Sequence, residues 1–461
     1  MNALDWAMLG YFVALNGTYA VFMALSSLEL ASARSSRLSE MHQLTMRLES
    51  TPPITVIVPA YNEAAVIVDS VRGLLALEYP RYEVVVVNDG STDATLEVLR
   101  ARFELVEVDV PVRSDVPAQA VRQVFRSRVH SKLWVIDKQN GGKADALNAG
   151  INFSRTPLVC CVDADSMLDA RALVHLVEPF IYGDGRVLVT GGTVRIINGA
   201  TVRDGKIRAV SISRLMIVRL QMLEYLRAFL FARLALNRLG GNLIISGAMG
   251  LFQRQTLVEV GGYQVGCIGE DMELIVRIHR HMRRLRRPYR VTFVPEPTCY
   301  TLAPESFEVL GKQRDRWQRG LADSLWRHRG MLFNPRYGVV GMVTLPIFFL
   351  FELISPVVEL LGYLWMVLAV VDGRIGPHVG VLFYGVASLL SVLFSMQALV
   401  MDETTFAHYP AFGARLRILG AALLENLGYR QFVLLSRTRG LLQFVRGGKA
   451  WGDMKRRALS A

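Results

Sequence analysis

Short apolar runs, each followed by a polar turn, recur between residues 54 and 165. Ile54–Val58 leads into Pro59-Ala60-Tyr61-Asn62-Glu63, and Tyr82–Val87 into Asn88-Asp89-Gly90-Ser91-Thr92-Asp93. Leu133–Ile136 precedes Asn140-Gly141-Gly142-Lys143, and Leu158–Val162 runs straight into Asp163-Ala164-Asp165. Continuous apolar runs of this length read as strands buried on both faces. Ala64–Leu77, Ala94–Phe103 and Ala144–Ile151 carry helical patterns between them. Strands alternating with helices predict a parallel, Rossmann-like sheet, an α/β fold. Val187–Ile197 reads as another strand and residues 109–132 as a variable insertion. Ser211–Leu239 is a long helical stretch dotted with Arg214, Arg219, Arg227, Arg233 and Arg238. It fits an ordinary amphipathic helix or one lying in a membrane interface, and the apolar segments elsewhere favour the interface. Ile244–Phe252 carries Ser246-Gly247-Ala248-Met249-Gly250, and Gly269-Glu270-Asp271 opens a helix rich in Arg and His.

The two ends have a different pattern. Leu4–Leu30 is apolar apart from the early Asp5 and is long enough to span a bilayer, which needs about 20 residues. It lacks a basic start and a small-residue cleavage site, so it does not read as a signal peptide. Arg34, Arg37 and Arg47 follow it. The positive-inside rule then places residue 34 onward in the cytosol and the N-terminus outside. Residues 32–50 read as a polar, partly helical linker. Beyond Tyr337 come Val339–Val371 with Pro346 and Pro356, the cleaner Val379–Met401, and the amphipathic Gly413–Val445. Counting three spans puts the C-terminus in the cytosol. Glu352 and Glu359 lie within the first of these stretches, two helical turns apart. A carboxylate in hydrocarbon is costly, so they are expected to face a wet path or protein. Alternatively, two shorter interfacial helices let both reach headgroup water.

Length and composition narrow the class. At 461 residues the chain holds two or more domains, here 1–50, 51–335 and 336–461. Hydrophobic residues make up 52%, concentrated at the ends, which suggests a catalytic domain between membrane segments. The net charge is +12, but the arginines flank apolar stretches. That favours an anionic membrane face over nucleic acid. The four cysteines (Cys160, Cys161, Cys267 and Cys299) show no metal or disulfide spacing, in keeping with a reducing cytosol.

The chemistry clusters at strand ends. Asp163 and Asp165 are two apart in extended chain and project to one side. They stand at the carboxyl end of a strand, where open α/β sheets bind ligands. Two hard oxygen donors beside a diphosphate suit Mg2+ or Mn2+, although a solvated acidic turn would look the same in isolation. Asp89 and Glu63, after two other strands, can accept from a nucleoside, while Asn-Asp-Gly is also a common turn. Lys143 follows two glycines at a helix start, a plausible diphosphate site. Asp271 reads as a general base for an acceptor hydroxyl or as an ordinary first-turn carboxylate. In Gln313-Arg314-Asp315-Arg316-Trp317, helical spacing puts Gln313, Arg316 and Trp317 on one face. Arg can hold phosphate oxygens and Trp can stack on a sugar ring, or the Trp can anchor an exposed basic helix at a membrane interface.

Taken in order, Asp89, Asp163-Ala-Asp165, Glu270-Asp271 and Gln313-Arg-Asp-Arg-Trp317 resemble the membrane-integrated family 2 glycosyltransferases. That family includes bacterial poly-N-acetylglucosamine, cellulose, chitin and hyaluronan synthases, and the match covers roughly residues 52–335. The resemblance implies a GT-A domain with flanking transmembrane and interfacial helices. It implies transfer from a UDP-sugar with inversion, to a β-linked polysaccharide at the cytosolic face of the inner membrane. Position by position, Tyr61, Glu63 and Asp89 resemble nucleoside contacts and Lys143 a base or diphosphate contact. Asp163 and Asp165 resemble the diphosphate and Mg2+ or Mn2+ site, and Asp271 the base. Gln313, Arg316 and Trp317 resemble the diphosphate and acceptor contacts, joined on the acceptor side by Glu270 and by Gly247 in the Ser246–Gly250 loop. No cyclic-di-GMP-binding domain of the cellulose-synthase type is recognisable. The membrane part is small for a secretion channel, which leaves room for accessory secretion subunits. Two other functions fit less well. A lipid glycosyltransferase of the ceramide-glucosyltransferase kind would transfer one sugar to a lipid acceptor, and a non-catalytic scaffold built on a decayed enzyme is disfavoured by the intact acidic positions and Gln-Arg-X-Arg-Trp motif.

Overall fold

The computed structural model describes residues 3–35, 51–203, 206–209, 212–406 and 412–447. Of the linker expected over 32–50, residues 36–50 lie outside the described residues, as does the basic segment after 447.

The apolar runs form strands as their pattern predicts. In chain order they are β1 (Ile54–Ala60), β2 (Tyr82–Asn88), β3 (Leu105–Glu107), β4 (Val121–Ser127), β5 (Leu133–Lys138), β6 (Leu158–Val162), β7 (Met167–Leu168), β8 (Val187–Ile196), β9 (Thr201–Arg203), β10 (Lys206–Ala209), β11 (Met249–Gln253) and β12 (Arg290–Thr301). Ten of them make one sheet in the order β3-β4-β5-β2-β1-β6-β11-β8-β12-β7, and β9 pairs with β10 separately. β5, β2, β1 and β6 run parallel, with Ala60 opposite Asn88 and Asn88 opposite Asp137. Their following turns, at 61–63, 89–93, 139–142 and 163–165, therefore emerge along one edge. The sheet is mixed rather than all parallel, because β11 is antiparallel to both β6 and β8.

Residues 109–132, expected as an insertion, contain β4, antiparallel to β5. Only Val124, Phe125 and Ser127 of that strand are buried, so its sequence lacks a continuous apolar run. The Lys143–Phe153 helix is buried along almost its whole length. A Cβ at its Gly150 would lie 2.4 Å from Ile57 Cγ2, so the helix can approach β1 only because this residue is glycine. Ile57, Val87, Ile136, Leu147 and Ile151 share the core with Leu274, Ile275 and Ile278 of the Glu270–Arg284 helix.

A second unit is helical. The chain divides into one unit within Ser35–Ser211 and Asn242–Leu302 and another within Met1–Arg34, Ile212–Gly241 and Ala303–Gly452. This departs from the linear boundary expected at 335. The Phe307–Arg327 helix, which carries Gln313–Trp317, belongs to the helical unit. The reason is its packing. A Cβ at Gly440, on the Tyr429–Val445 helix, would lie 2.5 Å from the Asp315 carbonyl oxygen, so the two helices touch backbone to backbone.

Met216–Leu226, a π-helical stretch Arg227–Arg233 and Leu234–Leu239 form the long arginine-bearing helix. Expected to lie in a membrane interface, it is instead largely enclosed. Phe231, Ala235 and Leu236 pack with Phe22. Two of its arginines are ion-paired: Arg227 with Glu425, and the exposed Arg238, 3.4 Å from Glu29.

Two helices, Asp5–Ser32 and Pro377–Phe406, are long and apolar enough to cross a membrane. Val340–Leu353 and Ser355–Val371 form a third candidate only if taken as one span bent by 45°. Pro356 accounts for the bend. It has no N–H to give the Glu352 carbonyl four residues earlier. That oxygen accepts instead from Arg437 Nη2 (2.5 Å) and Gln318 Nε2 (3.3 Å), and Gln318 also reaches the Leu353 carbonyl at 2.9 Å. Glu352 and Glu359 face protein cations. They are ion-paired to Arg437 at 2.9 Å and to Arg430 at 2.8 Å.

Candidate active site

In the sheet unit, β6 ends in Asp163-Ala164-Asp165, with Ala164 buried and both aspartates partly exposed. The Asp163 N–H donates to the Ala248 carbonyl at 3.3 Å, which ties this strand end to the Ser246–Gly250 loop. Lys143 opens its helix just after Gly142, whose φ of 88° suits glycine. Its Nζ lies 2.6 Å from Asp163 Oδ1 and 3.4 Å from Glu270 Oε1. Asp271 stands at the start of the next helix. Its Oδ2 accepts from the Gly247 N–H at 3.0 Å and its Oδ1 from the Met272 N–H at 2.8 Å. Any side chain at Gly247 would crowd the group, since its Cβ would be 3.1 Å from Lys143 Nζ and 3.4 Å from Asp271 Oδ2. Lys143, Asp163, Gly247, Glu270 and Asp271 thus meet at one place.

The charges there are interdependent. Burial alone would lower the Lys143 pKa, but Asp163 and Glu270 hold it above the ordinary value. Burial raises Glu270, with Lys143 opposing and Asp271 adding to the rise. One ammonium among three carboxylates leaves a surplus of negative charge, and Asp165 adds another two residues from Asp163. Such a site favours a hard divalent cation that keeps its waters and takes further oxygens from a diphosphate. Among the described residues, no three His, Cys, Asp or Glu side chains converge as a complete metal-binding set.

Farther along the same sheet edge, the turns after β1 and β2 are tied together. The Asn62 side-chain oxygen accepts from the Thr92 N–H at 2.8 Å and the Asp93 N–H at 3.2 Å, and the Glu63 N–H donates to Thr95 Oγ1 at 2.9 Å. Tyr61 is left half exposed on this rim and Glu63 is buried beneath it. Asp89 is also buried, and both its oxygens are engaged: Oδ1 by Lys138 Nζ at 2.6 Å and the Gly141 N–H at 3.0 Å, Oδ2 by the Gly142 N–H at 2.7 Å. Its first task is to shape the glycine loop that delivers Lys143. Lys138, wholly buried between Asp89 and Asp145, escapes a sequence reading because it looks like the polar end of a strand. Asn148 also escapes it. Its amide donates to the carbonyls of Pro117 (2.9 Å) and Tyr263 (3.0 Å) and accepts from the Tyr263 N–H (2.7 Å), fastening the segment that precedes Glu270.

In the helical unit, Arg314 and Asp315 are buried, Gln313 and Arg316 partly exposed, and Trp317 exposed. The helix therefore presents Gln313, Arg316 and Trp317 on its outer side and uses the two residues between them as internal anchors. Asp315 pairs with Arg319 at 2.7 Å, and Arg314 with Glu224.

A family model, glycosyl transferase family 2, matches residues 55–261. Over 316 residues the chain is 28% identical to the poly-beta-1,6-N-acetyl-D-glucosamine synthase of Staphylococcus aureus (strain COL), covering 67% of this chain and 65% of that protein. It is 29% identical to the Staphylococcus epidermidis protein of the same name over 274 residues, 59% of this chain and 56% of that one. The chain thus spans about two thirds or less of the length of these relatives. Among solved structures, a mannosyltransferase from Pyrobaculum calidifontis in complex with GDP-Man and Mn2+ matches 93% of this chain and 98% of its own, at TM-score 0.50 and 17% identity. That likeness is one of fold, the GT-A arrangement of a mostly parallel mixed sheet.

Proposed function

From the family 2 glycosyltransferase domain that the chain carries over residues 55–261, we propose an inverting enzyme that extends a β-linked polysaccharide from a UDP-sugar. N-acetylglucosamine is the first sugar to test, by analogy with the staphylococcal relatives. The observation that carries the proposal is the meeting of Lys143, Asp163, Glu270 and Asp271 around Gly247.

Tyr61, Glu63 and the Asp89 loop hold the nucleoside. Asp163 and Asp165 hold Mg2+ or Mn2+ against the diphosphate. Such a cation, when bound, offsets the charge that builds on the leaving group. In the sheet unit Lys143 binds diphosphate, and Glu270 and the Gly247 loop contact the acceptor. In the helical unit Gln313 and Arg316 are donors for phosphate oxygens, and Trp317 stacks on an acceptor sugar. Its hydroxyl oxygen attacks the anomeric carbon as the bond to UDP breaks. The electron pair leaves with UDP, and the hydroxyl proton passes to Asp271 Oδ2. One displacement inverts the anomeric centre. The catalytic unit works at the cytosolic face of the cell membrane, held by more than one span and assisted by export subunits.

The test uses full-length protein in detergent with Mg2+ or Mn2+ and a panel of UDP-sugars beginning with UDP-N-acetylglucosamine. UDP release with product retained on a gel is the expected result. A single-sugar product extracted into organic solvent points to a lipid acceptor instead. No UDP release from any donor overturns the reading.

A further inference from the structure

The outer face of the Phe307–Arg327 helix depends, through the buried Arg314, on a residue outside that helix. Arg314 is buried, yet it touches two members of that face. Its Nη1 donates to Gln313 Oε1 at 3.0 Å, and its guanidinium carbon lies 4.4 Å from the centre of the Trp317 ring. The other arm of the fork pairs with Glu224, on Met216–Leu226. Glu224 accepts a second hydrogen bond from the Tyr429 hydroxyl at 3.0 Å. Tyr225, next to Glu224, places its own ring 6.4 Å from that of Trp317, tilted by 45°. One carboxylate therefore fixes a guanidinium, and the guanidinium fixes both an amide and an indole.

We propose that Glu224, held by Tyr429, is a positioning residue for acceptor recognition, acting through Arg314 to hold Trp317 in the orientation that receives a sugar ring. The idea rests on the glycosyltransferase reading above. The physics is that of a preorganised site. A cation over one face of an indole locks the ring and leaves its other face to stack on the apolar side of a pyranose. Free rotation of that ring would have to be frozen at each binding event. The fork shape of arginine matters as well as its charge, because a lysine could not hold Glu224 and Gln313 together.

The experiment compares full-length wild type with Tyr429→Phe and with the pair Glu224→Gln/Arg314→Gln. Glu224→Gln alone strands a buried guanidinium and threatens the fold, whereas the pair removes both charges together. Two readouts are taken. The first is steady-state kinetics with UDP-N-acetylglucosamine and a β-linked N-acetylglucosamine oligosaccharide. The pair is expected to raise the oligosaccharide KM about tenfold, with a smaller rise in the donor KM through the loosened Gln313, and to release more UDP per sugar transferred. The second needs no turnover. It is acrylamide quenching of the Trp317 signal, taken as the difference between each variant and the same variant with Trp317→Phe. Quenching is expected to rise in the pair and, less, in Tyr429→Phe. Unchanged quenching and an unchanged acceptor KM in a folded pair variant overturn the inference. If wild type turns over no UDP-sugar, the functional reading falls, and the quenching alone decides whether Glu224 sets the ring.

Discussion

Lys138 shows how much of this site is decided by single buried side chains. It has no exposed surface and lies within ion-pair distance of both Asp89 and Asp145. Lys138→Met would leave two buried carboxylates without their cation. Breaking such a pair costs about 3–5 kcal/mol, so the variant should melt well below wild type and lose UDP-sugar binding as the glycine loop slackens. An unchanged melting temperature would contradict this role. Asp271→Asn is the opposite kind of change. On the proposed mechanism the amide keeps the shape but cannot take the proton, so transfer should fall at least about a hundredfold, within the usual share of a general base, while affinity for the proposed UDP-sugar donor holds. His279 gives a pH signature. It is buried between Tyr289 and the Asn242 carbonyl, at 2.8 Å from each, and burial pushes its pKa down to about 4. The unfolded chain therefore takes up this proton before the folded one does. Stability is full above about pH 6.5 and falls as the pH drops toward 4, by about 2 kcal/mol between pH 7 and 5. Melting curves of His279→Gln across that range should lack this part of the slope. None of these partnerships was legible in the sequence beforehand, because Lys138 is 49 residues from Asp89 and His279 is 37 from Asn242.

Elements were easier to read than their partners. β1, β2, β5 and β6 stand out because each is an apolar run buried on both faces, and the turns that follow them carry the chemistry for the same topological reason. β4 stayed hidden because only Val124, Phe125 and Ser127 of it are buried, so its sequence has no continuous apolar run. The face of the Gln313–Trp317 helix was legible from spacing alone, since a 3.6-residue repeat fixes which side chains are neighbours. What that helix packs against was not, because backbone contact between helices is signalled only by an unremarkable Gly440. Gly440→Leu should force the Tyr429–Val445 helix away from Asp315. Overpacking of this kind costs about 1–3 kcal/mol, and acceptor use should suffer more than donor binding. A melting temperature and an acceptor KM both equal to wild type would mean that the contact is dispensable.

At the scale of the whole molecule, the sequence predicts one catalytic block over 51–335, whereas the structure separates a sheet unit from a helical unit assembled out of three distant stretches. A hydropathy pattern records which segments are apolar but not which arginine meets which glutamate. The proposed topology, with the loop after Asp5–Ser32 on the cytosolic side, is checked by single cysteines placed at 36 and at 374 in a cysteine-free background. Labelling of position 36 by an impermeant thiol reagent from the periplasmic side would reverse it. The break at Pro356 has one more consequence, and it concerns the order in which the protein is made. Glu352 and Glu359 precede the arginines that neutralise them by 85 and 71 residues. While the ribosome is still working through that interval, the bent segment holds two carboxylates whose arginine partners are not yet made. The nascent chain can settle only when its last helix arrives, and the same helix closes on the one that carries Trp317. Maturation is thus built into the direction of synthesis, so that on the proposed function a half-made chain has no finished acceptor face.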